Sequence, residues 1–448
     1  MTSFNHLRID KPDTMQNEKV HITVEGLEPN ALYRLVMSLE HLYGKHKAFA
    51  VFKADDSGYI DLKRDAPLRG TYAGADPMGL FLSQRATPDF PYGGYLRCTP
   101  PIPFYYDLEL YDLAGNHMET MTIKKHWMHP QLKRTEIESH GFYGTEFRPP
   151  GDGPYPCVVD ISGTGGGLHE HKGSMLASEG FVVLCVAFFQ FKDLPNKLED
   201  VDITYFQGPV DFLLSRPYTR KDVGIGLQGV SFGATLVDYL ATRFPQFKAI
   251  VSINGPHSQS HYMSIKENGV QMIQAPFDDL RHYFLNSVMI TGPCFASPTE
   301  NLTPENEVPW ERIPKDAKFR LVTSVDDFVC CSVHTNNYRL KRLRETGHHV
   351  EIEYCNGGHI MEPPYFPHHE LVYAKFQVAL HGKSQEVTWA HTIEFFIRNL
   401  GEPAHMPDWN RLTHIVKPTI EEQKKFAKQI EAQSQQPQPQ QQQQLSKI

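Results

Sequence analysis

The sequence predicts an α/β protein whose parallel sheet is preceded by an all-β region, and three observations predict it. Before about residue 140, short runs alternate apolar and polar residues with the period of half-buried strands. After the turn-rich stretch Pro149-Pro150-Gly151-Asp152-Gly153-Pro154, solid apolar runs alternate with helical stretches, the pattern of a parallel sheet covered on both faces. One of those runs leads into Gly229-Val230-Ser231-Phe232-Gly233, which reads as a tight strand-to-helix turn with a serine at its apex.

In the first region Val20, Ile22 and Val24 alternate with polar residues. So do Tyr33, Leu35, Met37 and Leu39, although Val36 interrupts the polar phase, and so do Phe104, Tyr106, Leu108 and Leu110. Turn clusters at Glu28-Pro29-Asn30, Asp55-Asp56-Ser57-Gly58 and Ala114-Gly115-Asn116 separate the runs, which suggests a small β-sandwich over residues 1–140. In the second region, 141–415, the expected strands are Cys157–Ile161, Phe181–Ala187, Val223–Leu227, Ala249–Ile253, Phe319–Thr323 and Val350–Tyr354. Trp389, Ile393, Phe396, Ile397 and Leu400 fall on one face of a late helix. Residues 416–448 hold a further helix, opened by a capping box of Thr419 and Glu422, and then a Gln/Pro-rich run from Gln433 to Gln444 that reads as disordered.

The chain has 448 residues, 40% hydrophobic and 21% charged, enough to bury a large core. Its formal net charge of −8 argues against a general nucleic-acid binder, which needs a basic face. No apolar run approaches the ~18 residues of a membrane span, and the N-terminus lacks the apolar stretch of a secretory signal. The seven cysteines have no framework spacing and no C-x-x-C, so they read as reduced thiols of an intracellular protein.

G-x-S-x-G is the nucleophile elbow of α/β-hydrolases, where flanking glycines let strand and helix close around an exposed serine. A glycine-flanked turn serine is the plain alternative, so the motif gains its weight from the residues that accompany it further along the chain. This fold takes its acid and base, in that chain order, from turns beyond later strands. Phe319–Thr323 is followed by Asp326 and Asp327, and Val350–Tyr354 by Gly357-Gly358-His359. Ser324 stands at the first place of a G-x-x-D-like turn, which favours Asp327 over Asp326; a helix N-cap is the plain reading of either. Among 23 histidines, the rivals His334, His348, His349, His368 and His369 lack the position of His359 on a glycine-rich turn after a strand. Ser162-Gly163-Thr164-Gly165-Gly166-Gly167 offers backbone N–H groups for an oxyanion hole, with donors expected near Gly165 or Gly166 and at Phe232. No phosphate-loop or dinucleotide fingerprint occurs, and no cofactor is called for. His169-Glu170-His171 lacks the spacing of a metal-binding helix and reads as a polar loop.

Four stretches together resemble the type I acyl-CoA thioesterases and the related bile acid-CoA:amino acid N-acyltransferases: Gly70-Thr71-Tyr72-Ala73-Gly74-Ala75-Asp76-Pro77-Met78-Gly79-Leu80, Gly163 to Glu170, the elbow, and Gly358-His359-Ile360-Met361-Glu362-Pro363-Pro364-Tyr365. The resemblance covers residues 15 to 400. It implies an immunoglobulin-like sandwich before an α/β-hydrolase domain, an acyl-CoA substrate, and Ser231, Asp327 and His359 as the triad. Phe232 stands where relatives often carry Lys, and Ser324 where they carry Gly. The expected activity is hydrolysis of fatty acyl-CoA to fatty acid and CoA; the alternatives are amino-acid N-acyl transfer, a generic carboxylesterase, or a catalytically silent binding protein. The ending Ser446-Lys447-Ile448 is one conservative change from the S-K-L peroxisomal address, so a peroxisomal import receptor is the expected partner and the peroxisome the expected location, with the cytoplasm otherwise.

Overall fold

The computed structural model describes residues 5–87, 98–260, 263–285, 288–368 and 378–434. His369, the Gln/Pro-rich residues from Gln435 onward and the Ser446-Lys447-Ile448 ending lie outside these.

The N-terminal part is built on a hairpin of Leu32–His41 and Gly44–Lys53, in register from Leu32 opposite Lys53 to His41 opposite Gly44. Phe104–Asp112 pairs with the other edge of Leu32–His41, and His117–His126 pairs with Phe104–Asp112. Asp13–Met15 adds to His117–His126 in parallel. The alternating residues Tyr33, Leu35, Met37 and Leu39 are buried, as are Phe104, Tyr106, Leu108 and Leu110. Gly44–Lys53 was not legible because its inward positions begin with Gly44, His46 and Ala48 instead of large apolar residues. A smaller sheet of Leu7–Ile9, Ile22–Val24 and Ile60–Asp61 contributes Ile22, Val24 and Ile60 to the same apolar cluster as Leu35, Met37 and Leu108.

The larger sheet has eight strands: β1 Lys133–Ile137, β2 Tyr143–Arg148, β3 Cys157–Ile161, β4 Val182–Ala187, β5 Ile225–Val230, β6 Phe247–Ile253, β7 Lys318–Ser324 and β8 His349–Cys355. Their spatial order is β1-β2-β4-β3-β5-β6-β7-β8, and β2 alone runs against the rest. This is an α/β-hydrolase sheet. The six apolar runs of the sequence are β3 to β8. β5 lies later than the expected Val223–Leu227, because Gln228 and Gly229 break its apolar run yet stay in the ladder. β1 and β2 went unread because polar residues dominate them (Lys-Arg-Thr-Glu-Ile and Tyr-Gly-Thr-Glu-Phe-Arg). The first of them precedes residue 140, so the large sheet begins inside the stretch read as sandwich.

Alternate residues of the central strands enter two separate apolar clusters. Val158, Val183 and Val251 face one, with Met175 of helix His171–Ser178 and Phe395 and Phe396 of helix Val378–Leu400. Val159, Leu184 and Ile250 face the other, with Val210 of helix Gln207–Ser215 and Leu236 and Leu240 of helix Phe232–Arg243. Burial on both faces is why these strands are solidly apolar. Each fully buried Leu, Val or Phe contributes about 2 kcal/mol of transfer free energy.

The first cluster also runs into the N-terminal sheets without a break, through Phe81, Trp127, Tyr365 and Phe366. Trp127 meets Phe366 at 5.5 Å and Phe104 at 5.2 Å between ring centroids. Gln16 Nε2 donates to the Tyr365 carbonyl at 2.7 Å. Helix Ile420–Ser434 starts with the expected capping box: the Thr419 N–H donates to Glu422 at 2.8 Å and the Glu422 N–H to Thr419 Oγ1 at 3.2 Å. Among the described residues, no helix is long and apolar enough to cross a membrane.

Candidate active site

Strands β5 to β8 end along one edge of the sheet, and the turns that leave β5, β7 and β8 carry Ser231, Asp327 and His359. Ser231 follows β5 directly and precedes helix Phe232–Arg243. Its backbone has φ 60° and ψ −126°, a conformation that costs a non-glycine residue about 1–3 kcal/mol. The surroundings enforce it. The Ser231 N–H donates to the Ile253 carbonyl at 2.9 Å. A Cβ on Gly229 would lie 2.2 Å from the Gly233 carbonyl oxygen, so the close crossing of strand and helix requires glycine there.

His359 lies in the turn after β8. Its Nε2 is 2.9 Å from Ser231 Oγ and its Nδ1 is 2.9 Å from Asp327 Oδ2. Asp327, in the turn after β7, accepts the N–H groups of Val329 and Cys330 at 2.9 Å each on Oδ1, and the Ser332 hydroxyl on Oδ2. The structure therefore brings Ser231, His359 and Asp327 into one line of hydrogen bonds. Asp326 is joined to the base turn through its backbone, with its N–H 3.1 Å from the Gly357 carbonyl. Asp327 is not the N-cap of helix Ser332–Glu345, a place held by Cys331; its side chain instead closes the turn over Val329 and Cys330 ahead of that helix.

The rival histidines have other partners. His334 bonds Thr299, His348 the Ile313 carbonyl, His349 Glu351, and His368 the Leu82 carbonyl. His169-Glu170-His171 is not the polar loop expected. Glu170 is wholly buried and accepts Arg134 at 2.8 and 2.7 Å and Thr145 at 2.7 Å. His171 Nε2 lies 2.6 Å from Glu362, the glutamate of the E-P-P-Y stretch. Sequence could not show this, because the partners stand 36, 25 and 191 positions away. Among the described residues, no group of three His, Cys, Asp or Glu side chains is placed to hold a metal.

The glycine-rich loop after β3 meets the nucleophile at Gly163. A Cβ there would come within 2.8 Å of Ser231 Cβ and 3.3 Å of its Oγ. Gly166 instead faces the Gln190 side chain, and its carbonyl bonds His169 at 2.8 Å. The Gly167 N–H donates to the Phe189 carbonyl at 2.9 Å. Phe232 is the first residue of its helix, where the backbone N–H has no intrahelical acceptor, and its side chain is buried. Beside the loop opens a cleft of about 600 Å³ with apolar walls at Phe189, Leu198, Met263, Phe277 and Phe295 and a polar side at Thr164, Gln190, Asn196, Lys197 and Glu199.

Two family models match the chain. "Acyl-CoA thioester hydrolase/BAAT N-terminal region" covers residues 17–139, and "BAAT / Acyl-CoA thioester hydrolase C terminal" covers residues 201–402. The chain is 31% identical to acyl-coenzyme A amino acid N-acyltransferase 1 of Mus musculus over 87% of its own length and 96% of the relative's. It is 31% identical to peroxisomal succinyl-coenzyme A thioesterase of Mus musculus, over 86% and 94%. The same identity and coverage hold for acyl-coenzyme A thioesterase 1 of Homo sapiens. The chain belongs to the acyl-CoA thioester hydrolase/N-acyltransferase family that these models describe.

Proposed function

We propose that the protein hydrolyses acyl-CoA thioesters to CoA and a free carboxylic acid through an acyl-Ser231 intermediate. The observation that carries this reading is the line Ser231–His359–Asp327 in a chain of this family. His359 Nε2 takes the Ser231 proton as Oγ attacks the thioester carbonyl, and Asp327 holds the Nδ1–H and steadies the imidazolium. The tetrahedral oxyanion is held by the Phe232 N–H and by an N–H of the Ser162–Gly167 loop, each worth about 3 kcal/mol. The approach of Gly163 to Ser231 favours the Thr164 end of that loop over Gly165 or Gly166 as the second donor. Collapse breaks the C–S bond and expels CoA, whose thiol pKa of about 8–9 makes it a good leaving group; the sulfur takes the proton from His359, which leaves the imidazole neutral again. Water, deprotonated by His359, then splits the oxygen ester and restores Ser231. The apolar side of the cleft at Thr164, formed by Phe189, Leu198, Met263, Phe277 and Phe295, is the place for the acyl group.

Relatives named for N-acyl transfer and for thioester hydrolysis match equally well, at 31% identity, so overall similarity does not separate the two outcomes. The nucleophile favours water. A cysteine would form a thioester that amines attack readily, whereas the oxygen ester of Ser231 aminolyses poorly. The test is a panel of acyl-CoAs with free-thiol detection, with and without glycine or taurine, on wild type and Ser231→Ala. Free acid is expected as the main product and Ser231→Ala is expected to be silent. Amide as the main product would overturn hydrolysis.

We also read the N-terminal sheets as an immunoglobulin-like sandwich, ahead of the α/β-hydrolase part and a C-terminal helix. The parallel pairing of Asp13–Met15 with His117–His126 beside antiparallel neighbours supports that reading.

A further inference from the structure

Asn254 is the residue immediately after β6, wholly buried and in the left-handed region at φ 49°, which asparagine tolerates better than most residues. Its Oδ1 accepts the Ser324 N–H at 2.8 Å. Its Nδ2 lies 2.8 Å from Ser324 Oγ, 3.1 Å from the Gly358 carbonyl oxygen and 2.9 Å from the His359 carbonyl oxygen. The amide orientation is dictated by these partners, since a backbone N–H needs the oxygen and two carbonyls need the nitrogen. The residue before it, Ile253, accepts the Ser231 N–H.

One position thus touches all three turns. It meets the elbow through the carbonyl of its neighbour, the acid turn through Ser324, and the base turn through two carbonyls. The ladder between β7 and β8 ends at Ser324 opposite Cys355. Beyond it the acid and base turns are joined by the backbone bonds Val325 N–H to Cys355 and Asp326 N–H to Gly357, at 3.0 and 3.1 Å. Those bonds tie the two turns to each other, and the Asn254 amide ties both to β6. We propose that Asn254 is a positioning residue that holds His359 at bonding distance from Ser231 and Asp327. This rests on the reading of those three residues given above. Ser324 fits it as well, supplying a hydroxyl that the Asn254 amide engages.

Two variants of the full chain test this. Asn254→Gly keeps the left-handed backbone without strain and removes the amide. Asn254→Asp keeps the shape and sets a carboxylate against two carbonyls. Each is measured by steady-state acyl-CoA hydrolysis, by the rate of fluorophosphonate labelling, and by the downfield proton resonance of an imidazole N–H bonded to a carboxylate. The expected result is a kcat about 10- to 100-fold lower with KM within about threefold, slowed labelling, and a lost or broadened resonance. Either variant, folded and with kcat within about threefold of wild type and the resonance intact, would overturn the proposal. So would failure of both to fold, which would make Asn254 a determinant of the fold. Ser231→Ala is run alongside. Hydrolysis surviving in that variant brings down the triad reading itself, whereas its loss beside unimpaired Asn254 variants removes only the positioning role.

Discussion

Two buried histidine–carboxylate pairs have members within four residues of each other along the chain, His359 and Glu362, and one of them faces the Ser231 hydroxyl. His359 bonds Asp327 at 2.9 Å and His171 bonds Glu362 at 2.6 Å. Burial does not tell them apart: the side chains are 3% and 1% exposed in the first pair and 1% and 0% in the second. The difference is what else the imidazole meets. The second nitrogen of His359 reaches Ser231 Oγ at 2.9 Å. The His171 ring is packed among aromatic side chains, with centroids 5.9 Å from Trp127 and 5.3 Å from Phe366. A buried, bonded histidine is therefore no mark of catalysis by itself; the role proposed for His359 rests on its second nitrogen meeting the hydroxyl of Ser231, whose backbone is strained.

The comparison can be broken most easily at Asp327. Asp327→Asn keeps the shape but favours the wrong imidazole tautomer, and kcat for acyl-CoA is expected to fall about 10⁴-fold with the melting temperature nearly unchanged. Equal loss of activity and stability would make the pair at His359 as structural as the one at His171. The mirror-image experiment is Glu362→Gln. It weakens a buried charge-assisted bond and should cost about 1–3 kcal/mol in denaturant unfolding, while kcat per folded molecule stays within about threefold. A collapse of kcat in a fully folded Glu362→Gln protein would erase the distinction.

The smallest effect concerns acid, where unfolding would blur any comparison of activities. Burial pushes the Glu18 carboxyl up, but hydrogen bonds from Arg411, Thr14 and the Met15 N–H outweigh it and hold it at about 2, against 4.5 ordinarily. The unfolded chain then binds the proton first. This contribution is present above pH 4.5 and is lost as pH falls from there toward 2. Glu18→Gln should flatten the fall in melting temperature over that window and leave melting above pH 6 slightly lower. An unchanged acid slope would show that the bonds to Arg411 at 3.0 Å carry no stability.

The hydrogen-bonded line Ser231–His359–Asp327 was legible because each member lies in a turn just after a strand, and strand order constrains where such turns meet. Ser231 and His359 could be placed from apolar runs and glycines, whereas Asp327 stands out from Asp326 only by a G-x-x-D-like turn and the family resemblance. The oxyanion loop was legible as a loop, but which glycine faces Ser231 depends on how the chain turns at Thr164, and no local pattern records that. Asn254 was invisible for a different reason. Its partners are 70, 104 and 105 positions away, and Asn-Gly-Pro after an apolar run reads as an ordinary turn. β1 and β2 were missed because polar residues dominate both, although β2 is paired on both sides, and Glu170 because a buried carboxylate resembles a surface one until its Arg134 is in view.

The uninterrupted cluster joining the N-terminal sheets to the hydrolase sheet has a consequence for recombination among relatives. Phe81, Trp127, Tyr365 and Phe366 meet across the join, and a Cβ on Gly382 would lie 3.0 Å from the Leu82 carbonyl. A chimaera taking residues 5–132 from one parent and the remainder from another would have to inherit matching surfaces at that join. The two halves should therefore exchange poorly even between parents whose separate halves fold well, and drift in one is constrained by the shape of the other.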